Sequence, residues 1–110
     1  MKRLTLATLV SLFATVPAFA GGFVNGHITY PTSQRGLQFF VSSDAAISNK
    51  PACATANRFV FDPTTVNGKV MLATIMTAYA MGRTVTMLGD NTCNIWGDSE
   101  DLAVITINLS

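Results

Sequence analysis

The chain has 110 residues, 49% of them hydrophobic and 12% charged, with a formal charge of +1. That suffices for one small domain and lacks the basic stripe of a phosphate-backbone binder. Two cysteines and one histidine also leave few routes to metal or nucleophilic chemistry.

The first twenty residues read as a leader. Lys2 and Arg3 form a basic start, Leu4 to Phe13 an apolar run, and Ala18-Phe19-Ala20 an A-x-A cleavage site after Pro17. The alternative, an uncleaved anchor, asks a short run to span a bilayer. No second apolar stretch is uninterrupted enough to cross one. The expected mature domain is 21–110, secreted or periplasmic. Seven basic residues oppose six acidic ones; without Lys2 and Arg3, five oppose six, a formal −1. Export and this charge both argue against nucleic acid as a partner.

Two cysteines in an exported chain most simply pair, with two free thiols as the alternative. A Cys53–Cys93 bond closes a loop of about 40 residues, for which the chain-entropy model gives roughly 4 kcal/mol.

In chain order, Phe23 to Tyr30 alternate, with Val24, Ile28 and Tyr30 on one side and Asn25, His27 and Thr29 on the other. That is a half-buried strand. Pro31 to Gly36 read as a turn-rich connector. Leu37, Phe39 and Val41 alternate with Gln38, Phe40 and Ser42 in a second strand. Ser43 to Ala56 show no period and form a loop holding Cys53. Phe59 and Phe61 alternate with Arg58 and Val60 in a short third strand.

The stretch from Asp62 to Arg83 is the only good helix pattern. Asp62-Pro63-Thr64-Thr65 supplies capping side chains and a proline suited to a first turn. Gly82 suits the left-handed turn that ends a helix. Met71, Leu72, Ile75, Met76 and Tyr79 fall on one stripe. Asn67-Gly68 weakens the first turn, so the helix is most regular from about Gly68 to Met81. After it, Val85 and Met87 alternate with Thr84 and Thr86. Gly89 to Asp101 is a polar loop with Cys93 and Trp96. Ala103, Ile105, Ile107 and Leu109 alternate with Val104, Thr106 and Asn108 in a last strand.

Three strands, a helix and two strands is the order of the OB-fold, a small five-stranded Greek-key barrel. The expected class is all-β with one helix (β+α). A barrel also hides strand edges in a short chain. The alternative is an open antiparallel sheet with a helix on one face.

The back of the helix carries Val70, Ala73, Thr74, Thr77, Ala80 and Met81, with Lys69 the only charge in the regular part. Either the chain's own loops cover this face or copies of the chain do, in a dimer or ring.

Catalytic options are few. His27 lies on the polar side of its strand, and no motif sets an acid and a serine around it. The cysteines are committed to each other. No CxxC, HExxH or phosphate loop occurs, and neither cofactor nor metal is expected. Asp90, Asp98, Glu100 and Asp101 form an acidic group read as a solvated loop, with an ion or ligand role as the alternative.

Binding is the better prospect. OB-folds use the outer face of strands two and three with adjoining loops. Here that face carries Gln38, Phe40, Ser42 and Arg58, and the loops add Gln34, Arg35, Trp96 and Asp98. An outward aromatic among amide, guanidinium and carboxylate groups suits a sugar. The competing expectations are that Phe40 packs under a loop and that Trp96 is a lid over the barrel end or the disulfide.

Cys53, Asn57-Arg58-Phe59, Asp62-Pro63, Gly68-Lys69, Leu72 to Ala78, Gly82, Val85, Cys93 and Trp96-Gly97-Asp98-Ser99-Glu100 together resemble a family of small exported bacterial proteins. The layout is similar, more distantly, to the B subunits of subtilase-cytotoxin-type toxins, which are disulfide-bonded OB-folds that form pentameric rings and bind sialylated glycans. The second resemblance rests on the two cysteines, the helix with its alanine-rich end and the Gly82-x-x-Val85 step. No toxin glycan-binding residue has a counterpart here. The resemblance implies an OB-fold, a homo-oligomer and a glycan ligand. The expected function is a non-enzymatic binding module, with a periplasmic protein-binding, inhibitor or structural protein as the alternative.

Overall fold

The structure is a computed structural model that describes residues 21–109; the expected leader, 1–20, lies outside them. Five strands and one helix follow in the order β1 (Phe23–Gln34), β2 (Gln38–Ser43), β3 (Arg58–Phe61), α1 (Val66–Met81), β4 (Thr84–Gly89) and β5 (Glu100–Ile107). The strands close into a barrel in the order β1-β2-β3-β5-β4. β3 and β5 pair in parallel; every other pair is antiparallel. This is the OB-fold connectivity, and it excludes the open-sheet alternative.

β1 is longer than its pattern predicts because it serves two partners. Its first half pairs with β4 and its second half with β2. Between them the register slips, from Thr29 opposite Ser42 to Thr32 opposite Phe40. The extra residue is a bulge, and Tyr30 sits in it with φ 49°. Tyr30 therefore points to solvent, 83% exposed, rather than following Val24 and Ile28 into the core. Pro31, which has no N–H to give a ladder, falls at the same irregularity. Residues expected in a connector, Pro31 to Gln34, are strand.

α1 starts at Val66 with Thr65 as its N-cap, whose Oγ1 accepts the Gly68 N–H at 2.9 Å. Asp62 Oδ1 accepts both the N–H and the hydroxyl of Thr64, forming the turn that feeds the cap. Pro63 thus precedes the cap instead of occupying the first helical position. Gly82 ends the helix at φ 64°.

The inward stripe of α1 is Gly68, Met71, Leu72, Ile75 and Ala78. Met76 and Tyr79, expected with it, are more than 40% exposed. Ile75 enters a core of Val24, Ile28, Phe39, Val41, Phe59, Phe61, Val85 and Met87. Phe39 and Phe61 stack within it, ring centroids 5.3 Å apart. Cys53 and Cys93 form the expected disulfide, with Cα atoms 6.3 Å apart.

Gly68 is a contact residue more than a helix-weakening one. A Cβ there would be driven into the carbonyl oxygen of Asp62. Alanine is intrinsically better in a helix by about 1 kcal/mol. The clash reverses that order, so Gly68→Ala should destabilise by about 2 kcal/mol and lower the melting temperature by roughly 10 °C. Thermal denaturation followed by circular dichroism checks this. A more stable variant would show that the Asp62 turn gives way.

Candidate functional site

Antiparallel pairing of β2 and β3 sets Phe40 opposite Val60 and Ser42 opposite Arg58. Phe39, Val41, Phe59 and Phe61 point into the barrel, so Gln38, Phe40, Ser42, Arg58 and Val60 occupy the outer face. The outer face is where the sequence pattern puts them. It is not open, however. Phe40 is 2% exposed and Val60 fully buried.

The cover is the loop between β4 and β5. Trp96 meets the Phe40 ring edge-on at 5.4 Å between centroids. The Arg58 guanidinium lies over the same ring, 4.1 Å from its centroid. Arg58 donates from Nε to Ser99 Oγ at 2.8 Å and from Nη2 to Asp98 Oδ1 at 3.1 Å. The Asp98 carbonyl oxygen accepts the Ala56 N–H. Phe40 thus lies under a loop, the packing alternative, while Trp96 packs on Phe40 at the outer face of β2 and β3, not over the barrel end or the disulfide.

Asp101 shapes that loop. Its Oδ2 accepts the Thr92 hydroxyl at 2.7 Å and the Asn94 N–H at 3.1 Å, and its Oδ1 accepts the Ile95 N–H at 3.2 Å. Glu100 accepts backbone N–H groups of Gly22 and Asn91. The expected solvated acidic group is therefore split. Glu100 and Asp101 are buried and hold backbone, and Asp98 pairs with Arg58. Among the described residues no three His, Cys, Asp or Glu side chains are grouped to hold a metal ion.

The structure brings Phe40, Arg58, Trp96 and Asp98 together and adds Ser99, which the sequence reading missed. Ser99 follows Asp98 in a polar loop, and nothing in the pattern shows that it turns inward. Gln38 and Ser42 flank the group on β2, half-buried. Arg35 stands apart in the β1–β2 turn with φ 52°, exposed. None of these eight residues lines either of two concavities elsewhere. One, of about 340 Å³, includes Asp62, Met71, Asp90 and Ile95. The other, of about 540 Å³, includes His27, Tyr79 and Arg83.

His27 does meet an acid. Its Nδ1 is 3.0 Å from Asp44 Oδ2, and Asp44 Oδ1 accepts the His27 N–H at 2.8 Å. Those two bonds, the ring contact first, hold the Asp44 carboxyl below its usual range. Ser43 Oγ contacts Asp44, not the imidazole.

A second surface is the outer side of α1. Val66 is 80%, Val70 62% and Met81 55% exposed. Ala73 and Thr77 are exposed between them, and Thr74 is half-exposed at the margin. Thr74 Oγ1 donates to Val70 O at 3.0 Å and Thr77 Oγ1 to Ala73 O at 2.7 Å. With the hydroxyls turned back onto the helix, the threonines present methyl groups. The described loops leave this face open.

Among the described residues no helix is long and apolar enough to cross a membrane. Comparison of the chain with family models, with curated proteins and with solved structures finds no match in any of the three.

Two predictions follow from the covered face. Phe40→Ala should cost about 3 kcal/mol in urea denaturation, and Trp96→Ala, at a ring that is only partly buried, less, about 1 kcal/mol. Equal losses would contradict the nesting of Phe40 beneath Trp96. The Ser99 hydroxyl, and after it Arg58, hold Asp98 below its ordinary 3.8. A carboxyl lowered in the fold stabilises fully above the unfolded value, and that contribution is lost as pH falls through the folded value. Asp98→Asn should therefore melt below wild type at about pH 6 and converge with it toward about pH 2. A constant gap across that range would show the pairing to be without effect.

Proposed function

We propose that the chain is an exported, non-enzymatic binding module that works as a homo-oligomer assembled through the outer face of α1. The observation that supports this best is that α1 is apolar on both sides. A helix apolar all round belongs in an interior. One side of α1 has the barrel, and the other has Val66, Val70, Ala73, Thr77 and Met81, with Lys69 beside them. Small residues and methyl-presenting threonines let two backbones come close. The ring size suggested by the resemblance to toxin B subunits is five.

The ligand proposed is a carbohydrate at the rim of the Trp96 group. Trp96 offers part of an indole ring, and beside it Arg58 and Asp98 are fixed by one another and by Ser99. A sugar needs an apolar face for its C–H groups and fixed polar groups for its hydroxyls. Trp96, Arg58, Asp98, Gln38 and Ser42 are the residues that would meet it, with Phe40 as the floor. The second reading, a protein partner on the α1 face in place of a second copy, draws on the same apolar stripe.

Native mass spectrometry of the mature, non-reduced protein tests the assembly. A single oligomer at micromolar concentration is expected, and Ala73→Glu should convert it to a folded monomer. A monomeric wild type would overturn the oligomer, and a stoichiometric protein carried through purification would establish the second reading. A glycan array tests the ligand: Trp96→Ala should lower binding at least tenfold with the barrel intact. Unchanged binding would move the ligand away from this group.

A further inference from the structure

Glu100 is buried with no exposed surface. Gly22 N–H approaches Oε1 at 3.1 Å and Oε2 at 2.9 Å, and Asn91 N–H approaches Oε2 at 2.8 Å. Both oxygens accept, which is the pattern of an ionised carboxylate. The walls around it are glycine. A Cβ on Gly22 or Gly89 would overlap the carboxylate, and one on Gly21 would lie 2.7 Å from Oε2. A buried charge is costly unless an opposite charge meets it. Neither ion pair among the described residues involves Glu100.

We infer that the counter-charge is the α-ammonium of Gly21, created when the leader is cut after Ala20. This rests on the reading of residues 1–20 as a cleaved leader. The Gly21 Cβ position, with standard bond lengths, puts the Gly21 nitrogen within about 5 Å of Glu100 Oε2. The segment is already fixed: Asn49 Nδ2 donates to Gly21 O at 3.2 Å, and Phe23 and Ser48 exchange backbone hydrogen bonds at 2.9 and 2.8 Å.

Before cleavage the Gly21 nitrogen is a neutral amide with one proton. After cleavage it carries a positive charge and three donors. Hydrolysis of the Ala20–Gly21 bond therefore supplies a cation beside Glu100, the carboxylate with no exposed surface. Processing completes the fold: the leader-bearing chain carries a buried, unpaired charge, and the mature chain does not. Glycine at positions 21 and 22 leaves room for the new terminus beside the carboxylate.

A thermodynamic cycle tests this with defined termini. Chains beginning at Gly21 or at Ala18 are made with Glu100 and with Glu100→Gln, and their melting temperatures compared. The three-residue extension should lower the melting temperature by roughly 5 °C or more with Glu100 in place, and hardly at all with Glu100→Gln. Equal losses in both backgrounds would overturn the pairing. Should Glu100→Gln not fold, amine acylation of the Gly21-initiated wild type decides. Its terminal amine should react at least tenfold more slowly folded than in urea, and equal rates would refute the contact. The intact mass of the exported protein tests the leader separately. A first residue other than Gly21 overturns the maturation step, while the cycle still reports on the pocket.

Discussion

The barrel closes through two residues of β5. Only Phe59 with Glu100 and Val60 with Asp101 join β3 to β5, and this short parallel contact turns an open sheet into a barrel. The same two residues send their carboxylates to different places. Glu100 holds Gly22 at the start of the domain and Asn91 beyond β4. Asp101 gathers Thr92, Asn94 and Ile95 into the loop that carries Cys93. Backbone closure and loop placement are thus one event. Neither acid could become its amide without turning an acceptor oxygen into a donor facing an N–H group.

Because Asp101 fixes the loop, Trp96 reaches Phe40, and Arg58 is caught between Phe40, Asp98 and Ser99. This makes a second, smaller core outside the barrel, with Val60 and Phe40 at its base. The Cys53–Cys93 bond ties the loop on one side of β3 to the loop that covers it. A short domain has little interior of its own. Here it uses both faces of β2 and β3, with Phe39, Val41, Phe59 and Phe61 inside and Phe40 and Val60 outside.

Much of the architecture was legible in the sequence. Strand alternation, the Gly82 cap and the cysteine pair are local signals, and they led to the observed order and closure. The outer location of Gln38, Phe40, Ser42 and Arg58 followed from a period of two. What alternation does not carry is whether an outer face is covered, since that depends on a loop distant in sequence. Tyr30 failed for a different reason. A bulge inserts one residue, and every residue beyond it changes sides. Glu100 and Asp101 looked like solvated charges because their partners are backbone N–H groups, which composition cannot show. In α1, residues apolar on every side blur the choice of stripe, so the pattern puts Met76 and Tyr79 inward and passes over Ala78.

The two candidate surfaces differ in how closely they are bound to stability. Phe40 is both the floor of the aromatic group and the centre of the outer core, so no change there separates recognition from folding. Trp96 and Asp98, at the rim, are the positions where that separation is available. On α1 the division is cleaner. Ile75 and Ala78 are fully buried, while Val70, Ala73 and Thr77 lie on the other side and contribute nothing to the barrel's interior. Their apolar character is therefore unexplained by the fold of one chain. A soluble helix gains from charged residues on its open side, and only Lys69 is present. An open apolar face is a common mark of an interface, and that is the reason the proposed assembly is placed on α1.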